Sequence, residues 1–383
     1  MSEGTSPAAR VLIPLCLVGL AGAVGTYVVA GPERFFINWL IWFLFLLTIG
    51  LGGLFIVALE HTVASLWSVP VRRIAERLSG LVVGIVPVAL IALFSLPVVF
   101  PWTHPEAAAE PMVAGKLVWL NIPWFVARMV ISLILWVVCY RFLAGGSLRQ
   151  DETKDPAFTL KARRFAPVVL IIFAFTLTNV AFDWISSLEP LWYSDIFGVY
   201  LFVGTFLAGL ASTALGVAYL DRRGRLPGLR FDHRYNLGGL VFAFTVFWSY
   251  IAFAQYMLQW YANMPEEVFW YKDRIEGFWW YAAILLALLH FAIPFLALAT
   301  RKAKGNLKLL ARIAVVVLAA HFLDLFWMIF PVLGPEARPS WPELAFALLF
   351  IPAGLLWARW AMRRGADMPV GDPRLEAALE FRL

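Results

Sequence analysis

The stretch LLARIAVVVLAAHFLDLFWMIFP, residues 309–331, decides the fold class of this chain. As a helix rising 1.5 Å per residue it can cross a hydrocarbon core of about 30 Å. Nine more stretches of the same character lie near residues 11–30, 36–59, 79–99, 121–143, 166–188, 194–219, 237–261, 276–298 and 341–362. Backbone polar groups in lipid must be satisfied within their own segment, so each stretch reads as a helix. The expectation is an all-α integral membrane protein with ten transmembrane helices, one polytopic domain over residues 1–383. Composition agrees, because 62% of the 383 residues are hydrophobic and only 15% are charged, against roughly 25% charged in soluble domains. The first stretch lacks a small-residue cleavage site in a suitable place and reads as a retained helix.

The segments between spans alternate in charge. On one side fall Arg10, the Arg72–Arg73–Arg77 group, and the run from Arg149 to Arg164. The same side holds the cluster from Arg222 to Arg234, the one from Arg301 to Lys308, and the tail with Arg363, Arg364, Arg374 and Arg382. The other side holds only Arg34, Lys116, Lys272, Arg274 and Arg338. Lys and Arg are retained on the cytoplasmic side, which places the N- and C-termini there. The net charge of +6 follows from that retention and from contact with anionic lipids, and calls for no nucleic acid partner.

Several chemistries lack their residues. Cys16 and Cys139 both sit in apolar spans, and no CxxC or CxxCH motif occurs, so the chain by itself carries no ligand set for an iron–sulfur cluster or a covalent c-type haem. No phosphate-binding glycine motif stands in a strand–turn–helix context. Small buried apolar packing accounts for both cysteines.

What remains is a short set of ionisable and amide groups inside the spans. Each costs at least ~2.5 kcal/mol at a helix centre, so each needs a partner. Arg128 in the fourth span and Asp183 in the fifth lie at matching depths, which makes an ion pair between antiparallel neighbours reasonable. Such a pair can lock two helices, or it can form a polar site for a quinone head group or a proton. Gln255 and Gln259, four residues apart on the seventh span, share a helix face and are candidates to join that site. His321 and Asp324, in HFLDLFW, face one direction on the ninth span, and His290 lies at similar depth on the eighth. A buried carboxylate beside imidazoles suits a proton relay. His290 and His321 are also the one histidine pair at comparable depth able to serve as axial ligands of a b-type haem. Glu60 and His61 end the second span and could admit protons, or be ordinary interfacial residues. The expected route runs from Glu60 and His61 through His290, His321 and Asp324 towards Asp183 and Arg128. NVAFDWISSLEP and AHFLDLFWMIFP are weakly alike, which aligns spans two to five with spans six to nine as parallel repeats.

Three runs point to a family. QYMLQWYANMPEEVFWY (255–271), FDWISSLEPLWYSDIFGVY (182–200) and WSVPVRRIAERL (67–78) resemble the NrfD/polysulfide-reductase membrane subunits, and in particular the smaller of the two such subunits in bacterial alternative complex III. The resemblance covers essentially the whole chain. It implies two four-helix bundles, spans 2–5 and 6–9, flanked by spans 1 and 10, in the bacterial cytoplasmic membrane. It implies a quinol:cytochrome c (or high-potential iron–sulfur protein) oxidoreductase, respiratory or photosynthetic. The partners would be a larger NrfD-like subunit, an iron–sulfur subunit and c-type cytochrome subunits carrying the haem c and clusters. This chain would then hold no redox cofactor of its own, support electron transfer in its partners and conduct protons. A quinone site on this chain, at Arg128, Asp183, Gln255 and Gln259, is the first alternative. A secondary transporter is the second, and a purely structural role for every buried charge the third.

Overall fold

A computed structural model describes residues 7–334 and 336–383. Among these residues there is no strand. The helices that matter are α1 (Pro7–Gly25, continued by a π turn at Thr26–Ala30), α2 (Pro32–Thr62), α3 (Val69–Ser79), α4 (Ala92–Val99), α5 (Ile122–Thr153), α6 (Ala157–Val180, with a π turn at Ala181–Ile185) and α7 (Phe197–Asp221). They continue with α8 (Phe231–Ala262), α9 (Pro265–Ile275), α10 (Gly277–Leu286, passing through a π turn at Ala287–Ala292 into Ile293–Ala297), α11 (Leu307–Ile329), α12 (Trp341–Ala361) and the short α13 (Leu375–Leu379).

Local signals set the ends. Pro32 starts α2, the Asn121 side chain accepts from the Trp124 amide to cap α5, and Ser340 and Glu343 cap α12 reciprocally. Among the described residues nine helices are long and apolar enough to cross a membrane, and a tenth span exists if one bent pair is counted. That pair corrects the expectation of a continuous third helix over 79–99. The segment Val69–Ala89 meets Ala92–Val99 at 62°. Gly80, Gly84 and Pro87 weaken the run ahead of the bend and Pro97 follows it; a proline removes a ladder donor and clashes with the preceding turn.

Two helices form the core. The apolar windows of α2 and α7 are 83% and 89% buried, that of α11 67%, and those of the other spans only 17 to 39%. The outer helices therefore present apolar side chains outward, such as Val28, Phe94, Phe175 and Leu296. Exposed apolar surface on this scale belongs in lipid, and the protein is a multi-pass, all-α membrane protein. α2 and α7 cross at Gly52 and Gly209, where a Cβ on Gly52 would stand 2.4 Å from the Thr205 carbonyl oxygen and one on Gly209 2.6 Å from the Gly52 backbone. α2 also packs on α3, α6 and α11, α7 on α8 and α11, α5 on α6, and α1 on α12.

The Arg72–Arg73–Arg77 group, which the sequence places between spans, is carried by α3 and is not solvated. All eleven residues of α3 are buried, including Arg72, Arg73, Glu76 and Arg77. Residues 362–383 fold back over them. Asp372 accepts from Arg72, Asp367 from Arg77 and Arg225, and the Arg77 guanidinium also donates to the carbonyls of Arg364, Gly365 and Ala366. Glu76 bridges Arg72 and Arg73, and Arg73 continues to Asp151 at the end of α5.

Candidate functional site

The sequence-selected residues separate into three groups. The first is Arg128 with Asp183. Asp183 sits in the π turn that ends α6, a geometry that frequently marks functional positions. Arg128 holds it with two bonds, Nε to Oδ2 at 2.6 Å and Nη2 to Oδ1 at 2.9 Å. The Trp119 indole donates to Oδ1 at 2.9 Å, and the guanidinium lies over the same ring at 4.2 Å. This carboxylate is thus bound to a permanent cation in a fork geometry. The crevice beside it, lined by Phe43, Met129 and Trp184 among others, has a volume of about 10 Å³. That is room for about one water, and a quinone ring does not fit.

Gln255 and Gln259 do not join this pair. The Gln259 side chain accepts from the Trp192 indole at 3.2 Å and donates to the Tyr193 carbonyl at 3.1 Å, tying α8 to the loop before α7. Gln255 is buried with its Oε1 unpartnered, and it interacts with the Tyr271 side chain on α9.

The second group surrounds Asp324 on α11. The Tyr200 hydroxyl donates to Oδ1 at 2.6 Å and the Trp248 indole to Oδ2 at 3.0 Å. His290, in the π turn of α10, brings Nδ1 to 4.0 Å from Oδ2, and its ring lies on Trp248 at 4.0 Å. His321, one turn before Asp324, has Nε2 2.9 Å from Thr48 Oγ1 on α2. Thr48 gives its single proton to the Phe45 carbonyl, so Nε2 carries the hydrogen and Nδ1 is the basic nitrogen. Both ring nitrogens of His290 and Nδ1 of His321 have no hydrogen-bond partner among the described residues. The two rings stand 6.4 Å apart. With His321 on Thr48 and His290 on Trp248, the packed side chains leave no slot for a haem macrocycle between them.

Gly204 on α7 makes this meeting possible. A Cβ there would lie 3.2 Å from His321 Nδ1 and 4.0 Å from Asp324 Oδ2. Every member, Thr48, Tyr200, Trp248, His290, His321 and Asp324, is at most 5% exposed. Towards the end of α11, Tyr271 lies within electrostatic reach of both Asp324 and Tyr200 and leads to Gln255.

The third group is Glu60 with His61, at the far end of α2. Glu60 Oε2 and both nitrogens of His61 are buried without hydrogen-bond partners, and Arg72, Glu76 and Arg374 are the charges nearest Glu60. Twelve residues of α2, about 18 Å of helix, separate Glu60 from Thr48. The tight Gly52–Gly209 crossing falls in that interval. Among the described residues no hydrogen bond joins Glu60 to His321 or Asp324 to Asp183.

Sequence reasoning missed Tyr200 and Trp248, the two donors to Asp324. Tyr200 lay inside a run already quoted, FDWISSLEPLWYSDIFGVY, but a tyrosine near a membrane rim carries no signal of its own. Asp183 and Asp324 each accept an indole N–H, but from Trp119 just ahead of α5 and Trp248 within α8, positions that the alignment of the two span sets does not pair. Among the described residues no group of three or more His, Cys, Asp or Glu side chains could hold a metal ion. No family model matches this chain, and a search of curated proteins found no match.

Proposed function

We propose that this chain is an integral subunit of a quinol-oxidising, cytochrome c-reducing complex of the NrfD/polysulfide-reductase kind, and that Asp324 with His290 and His321 handles protons within it. Electron carriers belong to its partners: a larger NrfD-like subunit, an iron–sulfur subunit and c-type cytochromes. In this reading the bent pair at Val69–Val99 counts as the third of ten spans, spans 2–5 and 6–9 form two bundles, and both termini face the cytoplasm of a bacterial inner membrane. The sequence runs around 67–78, 182–200 and 255–271 support the family, and the basic asymmetry supports the orientation.

The observation that carries the proton role is the difference between the two buried aspartates. Asp183 is answered by a guanidinium, which stays charged at any working pH, so its carboxylate is fixed. Among the described residues Asp324 is answered by two neutral donors and, at 4.0 Å, by the His290 imidazole. One proton added to or removed from that cluster changes its net charge, and Nδ1 of His321 and either nitrogen of His290 can receive it. The carboxylate keeps its place throughout, because Tyr200 and Trp248 hold one oxygen each. No quinone step is assigned to the Arg128–Asp183 pair, beside which there is room for about one water.

The test is Asp324→Asn in the native complex. The expected result is normal assembly and electron transfer with reduced proton movement per electron, measured in proteoliposomes. Unchanged proton stoichiometry would overturn the proton role. Failure of haem c and iron–sulfur proteins to co-purify with the chain from its native membrane would overturn the family reading.

A further inference from the structure

A groove of about 1170 Å³ runs along the side of the molecule between α2, α7, α11 and α12. Its walls are apolar and aromatic, with Trp42, Phe45, Phe322, Phe350 and Trp357 prominent. Its two ends differ in charge. One carries Asn38 and Glu343, and Glu343 is neutralised by Arg34 at 2.7 Å. The other carries Arg222, Arg223 and Arg359. The Arg223 guanidinium lies on Tyr219 at 3.8 Å, which pins it at the groove edge. Among the described residues no carboxylate forms an ion pair with Arg222 or Arg223, whereas their neighbour Arg225 is bound to Asp367 and Arg234 to Asp221. Glu343 and Arg359 are sixteen residues apart on α12, about 24 Å of helix. The apolar wall is thus most of a bilayer core in length.

We propose that this groove is a binding site for a diacyl phospholipid with an anionic headgroup, whose phosphate lies on Arg222 and Arg223 and whose chains lie along α11 and α12. Charge and shape agree on that occupant. A neutral sterol or a bare hydrocarbon chain would leave Arg222 and Arg223 without an anion. A water-soluble phosphate compound would leave the aromatic wall uncovered. The arginines are at the rim, where a headgroup sits, and the apolar surface extends away from them in one direction.

The full-length chain, purified in a neutral detergent, is mixed with phosphatidylglycerol or phosphatidylcholine of identical acyl chains and examined by native mass spectrometry. Wild type should retain phosphatidylglycerol preferentially. Removing two rim charges in the Arg222→Gln/Arg223→Gln variant should weaken that lipid roughly thirty-fold and erase the preference. Ala319→Trp, which fills the groove, should reduce retention of both lipids while thermal melting shows a folded protein. Gly354→Leu serves in its place if the tryptophan variant does not fold, because the nearest atom to a Cβ there is Leu46 Cδ2 at 3.7 Å. Equal retention of the two lipids by wild type, an unaltered preference in the glutamine variant, or full retention in the filled groove would each overturn the proposal. So would a partner helix crosslinked along the groove in the native complex with no lipid recovered.

Discussion

Asp183 and Asp324 are both carboxylates on helices in an apolar setting, and what answers each one decides how it responds to change. Removing one side of Arg128–Asp183 leaves a buried charge without its partner, which costs about 3–5 kcal/mol. Arg128→Leu and Asp183→Asn are each expected to lower the stability of the detergent-solubilised chain by that amount. The Arg128→Leu/Asp183→Leu double variant should recover a large part of it, and denaturant titration of all the variants checks this non-additivity. Asp324→Asn is different. The amide oxygen can still accept from Trp248, and the amide nitrogen can donate to the Tyr200 hydroxyl, which accepts as readily as it donates. The same titration should show a loss of only about 1 kcal/mol, so any effect on protons is separable from folding. The spacing of His321 and Asp324 and their match in depth with His290 were legible in the chain. The tautomer of His321 was not, because it depends on where Thr48 on another helix sends its hydrogen.

At the scale of elements, the span positions follow from hydrophobic length and agree with the helices to within a few residues at most ends. The one that does not hold as a single helix is 79–99, where the chain turns by 62° between Ala89 and Ala92, with Pro87 just before and Pro97 just after. Which helices are central is a different matter. α2 and α7 have the closest crossing in the core, backbone against backbone at Gly52 and Gly209. Gly209→Val should therefore force the pair apart and cost about 3 kcal/mol, the upper part of the usual range for overpacking. Expression with fluorescence-detected size exclusion would show it as a loss of the monodisperse peak. Gly204→Val, one and a half turns away on the same helix, should act more locally by pushing on His321 and opening its contact with Thr48.

For the whole molecule, the tail is a structural member. The basic run of α3 reads in sequence as an orientation-setting segment between spans, and residues 362–383 cover it and supply Asp367 and Asp372. Burial pushes the Asp372 carboxyl up, but hydrogen bonds from Arg374 and the charge of Arg72 outweigh that and hold it well below the ordinary carboxylate range. A depressed value means the group stabilises the fold at and above neutral pH, and the contribution is lost as pH falls from about 4 towards the folded value. The melting temperature of wild type should drop over that acid range. Asp372→Asn should start lower at pH 7 and change less with acid, which a pH series of thermal melts would register. Truncation after Met362 should leave Arg72 and Arg77 partly unanswered and reduce the yield of folded protein.

The sequence by itself determined the class of the molecule, since hydrocarbon admits long apolar segments only as helices, and it named the two aspartates and the two imidazoles grouped with Asp324. It determined these because length, composition and spacing along one helix are local properties. Only the tertiary structure decided that Asp183 belongs to an arginine while Asp324 belongs to Tyr200, Trp248 and His290, and that Glu60 stands apart from both. Those partners come from helices distant in the chain, and which helix faces which is set by packing at points such as Gly52 on Gly209.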